Sequence, residues 1–170
     1  MPELRPLMST PETVNALADL LTATVAAGGS VGFMHPLPPE DARAFWTASL
    51  QAAERDERVV YGAFQGEQLI GTLTLLLAFP PNQPHRAELA KMMIHPRARG
   101  QGVASALVRA AETEAARRGK TLIMLDTASE EGAGPFYEKL GYTLTGLVPG
   151  FALKPHGGLT GTLFYWKRLG

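Results

Sequence analysis

RARGQGVASALV, Arg97 to Val108, sets two glycines, Gly100 and Gly102, and a run of small residues directly ahead of a helical pattern. Ordering glycine costs backbone entropy, so such a cluster has a use. The stretch before it, AELAKMMIHP (87–96), reads as a strand closed by Pro96. From Val103 the apolar positions 103, 106, 107, 110 and 111 follow helical i, i+3, i+4 spacing; Ala115 continues the stripe and Gly119 ends it. A strand, a glycine-rich turn and a helix N-terminus together make an anion site. The first-turn amides point outward unpaired, and the helix dipole adds partial positive charge. Glycines let a phosphate reach those amides, and Arg97 or Arg99 adds a charged contact. Phosphate or pyrophosphate is the expected visitor.

Two nucleotide loops built on the same logic fail on their motifs. A Walker-type loop needs Gly-Lys-Ser/Thr, which is absent. A dinucleotide fold places G-x-G-x-x-G early, with an acid about 20 residues on. Here Ser105 stands at the third glycine position, and the motif comes late, after an antiparallel hairpin.

Outward from this stretch the chain alternates between the two periods. ELRPLM (3–8) is a short first strand. TPETVNALADLLTATVAAGG (10–29) opens on a capping Thr10 with Pro11 at N1 and ends in Gly28-Gly29, which predicts a helix. PPEDARAFWTASLQAAERDE (38–57) is a second helix, with Phe45 and Leu50 toward the core. RVVYGAFQGEQLIGTLTLLLAF (58–79) is a hairpin turning at Gln65-Gly66-Glu67. TLIMLDT (121–127) is a continuously apolar strand, the kind buried on both faces. GPFYEKLGY (134–142) is a short helix with Pro135 in its first turn, and YTLTGLVPGFAL (142–153) and GTLFYWKRL (161–169) are closing strands. Segments 28–39 and 80–86 are loops of a single domain spanning 1–170. The order βααβββαβαββ describes a mixed α/β sheet with helices on both faces.

Composition narrows the function. The formal net charge is zero over 170 residues, which argues against a nucleic-acid binder. The densest basic groups, Arg97/Arg99 and Arg117/Arg118/Lys120, are too small for a polybasic tract. With no cysteine, disulfides, cysteine zinc sites and thiol nucleophiles are excluded. The four histidines show no H-x-x-x-H spacing and no clustering with acids, so no metal is expected. The start lacks the basic and apolar regions of a signal peptide, and the apolar run Ala16 to Ala27 is broken by Asp19 and too short to cross a bilayer. A soluble, cytoplasmic protein with no membrane partner is the expectation.

The glycine stretch resembles motif A of the GNAT superfamily of N-acetyltransferases, Gln/Arg-x-x-Gly-x-Gly/Ala, read here as Arg99-Gly100-Gln101-Gly102-Val103-Ala104 after the strand MMIHP. GAGPFYEKLGY (132–142) is similar to the family's later helix, A-x-x-F-Y-x-x-x-G-F/Y. Further similarity, in GGSVGFM (28–34), HRAELAKMMIHPRARGQG (85–102), LDT (125–127) and LVPGFALKPHGGL (147–159), is to the tabtoxin-resistance type of acetyltransferase, which acetylates a small amino-acid-like toxin. The resemblance implies the GNAT fold, a mostly antiparallel sheet with one splayed parallel strand pair. It implies acetyl-CoA as co-substrate, its pyrophosphate on the amides of residues 99–104. It also implies that the backbone of Met92, Met93 and Ile94 bonds the pantetheine arm, an amide there serving as oxyanion donor.

Acetyl transfer needs a deprotonated nucleophile, a stabilised carbonyl oxygen and a leaving thiolate. Without cysteine, direct attack in a ternary complex is the simplest route. Tyr137, which the resemblance places beside the CoA sulfur, is the candidate general acid; otherwise it is an aromatic packed beside Phe136. Asp126 ends the strand LIMLD, where ligands bind in α/β sheets. It either takes a proton or an ammonium from the acceptor, or caps the following loop. The resemblance puts Glu88 at the acceptor site as a base working through water; the other reading is a solvated strand-end acid. Period-2 alternation sets Glu88 on one face with Ala90, Met92 and Ile94, unless a bulge breaks the phase. Phe33 and Met34, on the glycine-rich loop, are candidate acceptor-site walls or else core plugs of a connector. Glu130 stands where the family often has Asn, three residues before Ala133. His35 and His95 read as loop and structural residues.

Three functions compete. One is acetyl transfer to the amine or hydroxyl of a small acceptor, amino-acid-like or a toxin or antibiotic. Another is protein N-terminal or lysine acetylation, which needs an open cleft. The last is a non-catalytic acyl-CoA-binding module. Tyr137, Glu88 and Asp126 together favour the first, and a homodimer edge at the closing strands is a further expectation.

Overall fold

Where the glycine turn joins strand to helix, the two periods meet as their spacing predicts. A computed structural model describes residues 2–170. The strands are β1 (Glu3–Pro6), β2 (Arg58–Gln65), β3 (Gln68–Leu76), β4 (Arg86–Ile94), β5 (Leu122–Ala128), β6 (Thr143–Leu153) and β7 (Leu159–Arg168). The helices are α1 (Pro11–Ala26), α2 (Pro39–Glu54), α3 (Val103–Arg117) and α4 (Gly134–Lys139). Two single 3-10 turns, Pro96–Ala98 and Ser129–Glu131, lie beyond what periodicity signals.

One sheet runs in the order β1-β2-β3-β4-β5-β7-β6. Every neighbouring pair is antiparallel except β4 and β5, which run parallel. This is the architecture that the resemblance implies: a mostly antiparallel sheet with one parallel pair and helices on both faces. Thr10 caps α1 as expected, its hydroxyl accepting from the Thr13 amide at 3.2 Å. Helices α1 and α2 bury Leu17, Leu21, Trp46 and Leu50 on one face, against Val60 and Met93. Helix α3 buries Val103, Leu107, Val108, Ala111 and Ala115 on the other, against Leu73, Leu89 and Ile123. The buried face of α3 thus rotates toward Val108, leaving Ala106 and Ala110 half-buried. Small residues there let the helix lie close on the sheet.

Two local departures create the cleft. The first is in β4. Thr74 pairs with Ala90 but Thr72 pairs with Met93, so Lys91 and Met92 together oppose one residue of β3. This β-bulge puts Lys91 at φ 53, a left-handed conformation unusual for lysine. The extra residue flips the alternation. Ala87 and Leu89 face α3, whereas Met93 faces α1 and α2. Glu88 therefore does not share a face with Met92 and Ile94, which pack toward α3.

The second departure is the splay of β4 from β5. Their pairing covers only Arg86↔Leu122, Ala87↔Ile123 and Glu88↔Met124. Beyond it the strands part. Strand β5 is consequently not buried on both faces: Ile123 and Leu125 are buried, while Met124 is half-buried and Asp126 exposed. Helices α1 and α2 cover β2, β3 and β4, and the face of β5 on their side opens into a cleft.

Candidate active site

The gap between β4 and β5 is a cleft of about 490 Å³. Its walls come from β4, β5, α4, the loop after α1 and the closing hairpin. Because β5 has turned away, the edge of β4 from Leu89 to Ile94 has no ladder partner on that side. Met92, Met93 and Ile94 line the cleft along this edge, and their free backbone groups demand hydrogen-bond partners there.

Arg99 lines the end of the cleft nearest α3. Gly100 and Gly102 adopt φ 72 and φ 79, and a Cβ built at either meets nothing within 4 Å. The open space there admits a ligand, and the left-handed backbone requires glycine. Gly102 is the N-cap of α3 and offers no side chain, so the first-turn amides of Val103 and Ala104 stay available. Gln101 works on the loop itself: its Nε2 donates to the Arg97 carbonyl at 2.7 Å. His95 Nδ1 accepts from the Arg97 amide at 3.2 Å, a structural role as its position predicted. Residues 100–104 lie outside the cleft proper, around its rim.

Tyr137 combines its two readings. Its ring packs edge-on against Phe136 (centroids 5.0 Å) and Tyr142 (5.8 Å), and the residue is 6 % exposed, yet it lines the cleft. Burial, with the charge of Asp126 adding, pushes its phenol well above the ordinary tyrosine value. The hydroxyl is therefore protonated throughout the working pH range. Helix α4 presents it because Gly134 lets the helix sit on Tyr165: a Cβ there would lie 2.6 Å from the Tyr165 hydroxyl. That hydroxyl in turn donates to Glu138 at 3.0 Å.

Asp126 lines the same cleft as Tyr137, close enough for its charge to act on the phenol. Solvent reaches the residue, and the cleft walls partly enclose its carboxylate. Burial raises its pKa, the nearby charge of Glu88 raises it further, and Lys91 opposes both. A carboxylate so placed is a better proton acceptor than an ordinary surface aspartate. Glu88 sits beside the cleft rather than in its lining and forms an ion pair with Arg86, which also stacks over the Phe79 ring at 3.9 Å.

The loop after α1 forms a wall through Gly29, Ser30, Val31 and Gly32. Phe33 points away, packing edge-on against Phe45 at 5.1 Å, and Met34 is exposed; neither lines the cleft. The loop is tied down at two places. The Ser30 amide donates to Glu131 Oε1 at 2.6 Å, and the His35 amide donates to the Pro155 carbonyl at 2.9 Å. The His35 and His156 rings meet at a tilt, their centroids 4.4 Å apart. Glu130 pairs with Lys154 at 3.1 Å. Phe151 and Leu153 of β6 and Thr160 of β7 complete the far wall.

Lys91 was not anticipated. It lines the cleft at the bulge, its Nζ 3.4 Å from where a Cβ of Gly32 would be and 5.7 Å from the Phe45 ring centre. A lone lysine amid the apolar LAKMMI was the available signal. Among the described residues no group of three or more metal-binding side chains assembles, and no helix is long and apolar enough to cross a membrane.

Comparison with known proteins agrees with this fold. The acetyltransferase (GNAT) family model matches residues 25–142. The rat protein N-acetyltransferase 8B is 35% identical over 86 residues, which is 49% of this chain and 39% of that protein, so the matched part spans well under half of that relative. A Staphylococcus aureus Mu50 N-acetyltransferase superposes with a TM-score of 0.82 at 17% identity, covering 99% of each chain. A Salmonella typhimurium structure described with its cofactor acetyl-CoA has the same TM-score and identity, over 100% of this chain and 95% of that one. An aminoglycoside 6'-N-acetyltransferase complexed with coenzyme A has a TM-score of 0.76 at 19% identity, over 99% and 97%.

Proposed function

Because the chain belongs to the acetyltransferase (GNAT) family, we propose that it moves an acetyl group from acetyl-CoA to the amine, or hydroxyl, of a small acceptor by direct attack in a ternary complex. The observation that carries this reading is one cleft lined by Asp126, Tyr137 and the unpaired edge of Met92 to Ile94, with the glycine loop at its rim. The pyrophosphate rests on the amides of 100–104 beside Arg99, and the pantetheine arm lies along β4.

In the first step the acceptor ammonium gives a proton to Asp126, directly or through water with Glu88 nearby. The freed lone pair attacks the thioester carbonyl carbon, and a C–N bond forms. The oxyanion is held by an amide of the β4 bulge. The intermediate then collapses, the C–S bond breaks, and the thiolate takes the Tyr137 proton. The acceptor nitrogen sheds its excess proton, which restores Tyr137, and Asp126 releases its own to solvent. Ammonium and acetyl-CoA thus yield amide, CoA thiol and one proton. No metal enters this scheme.

The tied-down loop and the hairpin wall favour a small, amino-acid-like or toxin-like acceptor over a peptide. All seven strands share one sheet, and the site draws on both halves of it, which supports a single acetyltransferase domain over the whole chain. A cytoplasmic setting, where acetyl-CoA is plentiful, suits this chemistry.

The test is acceptor-dependent release of free thiol from acetyl-CoA. The chain has no cysteine, so a thiol reagent reads CoA alone. Release that falls on the order of 100-fold or more in Tyr137→Phe supports the acid role. No release with any amine or hydroxyl acceptor contradicts transfer.

A further inference from the structure

The charged groups lining the cleft are Lys91, Arg99, Asp126 and Glu131. Glu131 is engaged by the Ser30 amide, and Arg99 lies at the cofactor end. That leaves Lys91 and Asp126 in the acceptor part. Neither has a side-chain hydrogen bond or an ion-pair partner within 4.0 Å among the described residues, and they do not pair with each other. Their charges nonetheless feel one another: burial lowers the pKa of Lys91, and the charge of Asp126 offsets part of that lowering. Lys91 Nζ lies over the Phe45 ring at 5.7 Å, but neither charge has an ionic partner, and opposite charges held apart in one cleft leave room for a molecule that carries both signs.

A second observation marks the positive end. The Ser30 hydroxyl is buried with no hydrogen-bond partner, on the same loop wall as Gly32, beside which the Lys91 ammonium lies. A buried hydroxyl without a partner is costly unless a ligand or water completes it. An ammonium and a hydroxyl converging on one wall are donors to an anion. The left-handed bulge at Lys91 is what turns this side chain under the loop. Backbone strain of this kind is typical where a side chain must be aimed.

We propose that Lys91 is a specificity residue: with Ser30 it receives the carboxylate of an α-amino-acid-like acceptor whose amine is held at Asp126. This rests on the acetyl-transfer reading above. It narrows that acceptor to one with a free α-carboxylate and names the residue that selects it. The positive charge under the loop also disfavours polycationic acceptors.

The test compares free L-amino acids with their α-amides. The amide has the less basic amine and is the easier nucleophile at neutral pH, so a preference for the acid must come from the site. Wild type should favour the acids by on the order of tenfold or more in kcat/KM, carried mainly by KM. Lys91→Met should erase or reverse that preference, and Lys91→Arg should restore part of it. Both variants should keep the rise in melting temperature with acetyl-CoA, which shows that fold and cofactor site are intact. Equal use of acid and amide by wild type overturns the proposal, as does a preference that survives in Lys91→Met. An enzyme that binds acetyl-CoA yet is neither turned over nor stabilised by any free amino acid overturns it as well. Loss of acetyl-CoA binding in wild type would instead overturn the acetyl-transfer reading beneath it.

Discussion

Asp126 occupies a position that folding alone does not favour. Its pKa is higher in the folded chain than in the unfolded one, chiefly through burial and then through Glu88. A group of this kind binds its proton more tightly when folded. Whatever stability it contributes is present below the unfolded value of about 4 and is lost as pH rises through the folded one. At pH 7 the ionised Asp126 therefore weakens the fold. Asp126→Asn should raise the melting temperature at pH 7 and make little difference below pH 4, while acetyl transfer drops. Melting curves of both proteins at the two pH values check this, and an equal shift at both contradicts the account. The sequence pointed to Asp126 and Tyr137 by strand end and motif, and both line the cleft. It did not point to Lys91, because the bulge that aims this residue comes from a mismatch with β3. A strand's own residues do not reveal where its neighbour's register slips.

At the scale of elements, α4 is too short to hold itself and depends on its seat. Gly134 allows the contact with Tyr165 that sets Tyr137 against the cleft. Gly134→Ala pushes the helix off a ring that is only 1 % exposed, and overpacking of this kind costs about 1–3 kcal/mol. The expected result is a lowered kcat with acetyl-CoA binding largely kept; unchanged kcat in a thiol-release assay contradicts it. At the far end of α3, Glu114 bonds both Arg117 (2.6 Å) and Arg118 (2.6 Å), and Arg118 reaches Asp56 at 2.6 Å, tying the helix to the turn before β2. The guanidiniums hold the Glu114 carboxyl at about 2. A carboxyl lowered on folding stabilises above its unfolded value of about 4.3 and loses that effect as pH falls toward 2. Glu114→Gln should therefore cost on the order of 1 kcal/mol at pH 7, since solvent screens part of the network, and almost nothing at pH 2. Urea melts at the two pH values read this directly. Element order and type were legible because caps, prolines and the two periods agree along the chain. The single-turn 3-10 segments were not, since they leave no periodic mark; the splay leaves none either, and it was expected only through the family resemblance.

Across the whole molecule, the sheet is asymmetric. Its central strands β2 and β3 are covered on both faces, while β6 is an edge strand exposed along its length, with Leu144, Leu147 and Val148 all more than 40 % exposed. Exposed apolar edges associate unless something blocks them. We propose a homodimer joined at β6, with two copies continuing the sheet. Sedimentation velocity should show a dimer that Leu144→Lys/Leu147→Lys dissociates; a monomer at tens of micromolar contradicts it.

The measurement that bears most directly on the central claim is thermal melting with and without acetyl-CoA, repeated on Arg99→Glu/Gly102→Glu. A ligand that binds only the native state raises the melting temperature with the logarithm of its concentration. The account predicts a rise of that form in wild type, abolished in the double variant, whose added carboxylates occupy the space left open beside the α3 amides. A wild-type chain that acetyl-CoA does not stabilise, or a double variant stabilised as strongly as wild type, contradicts a cofactor held at this loop.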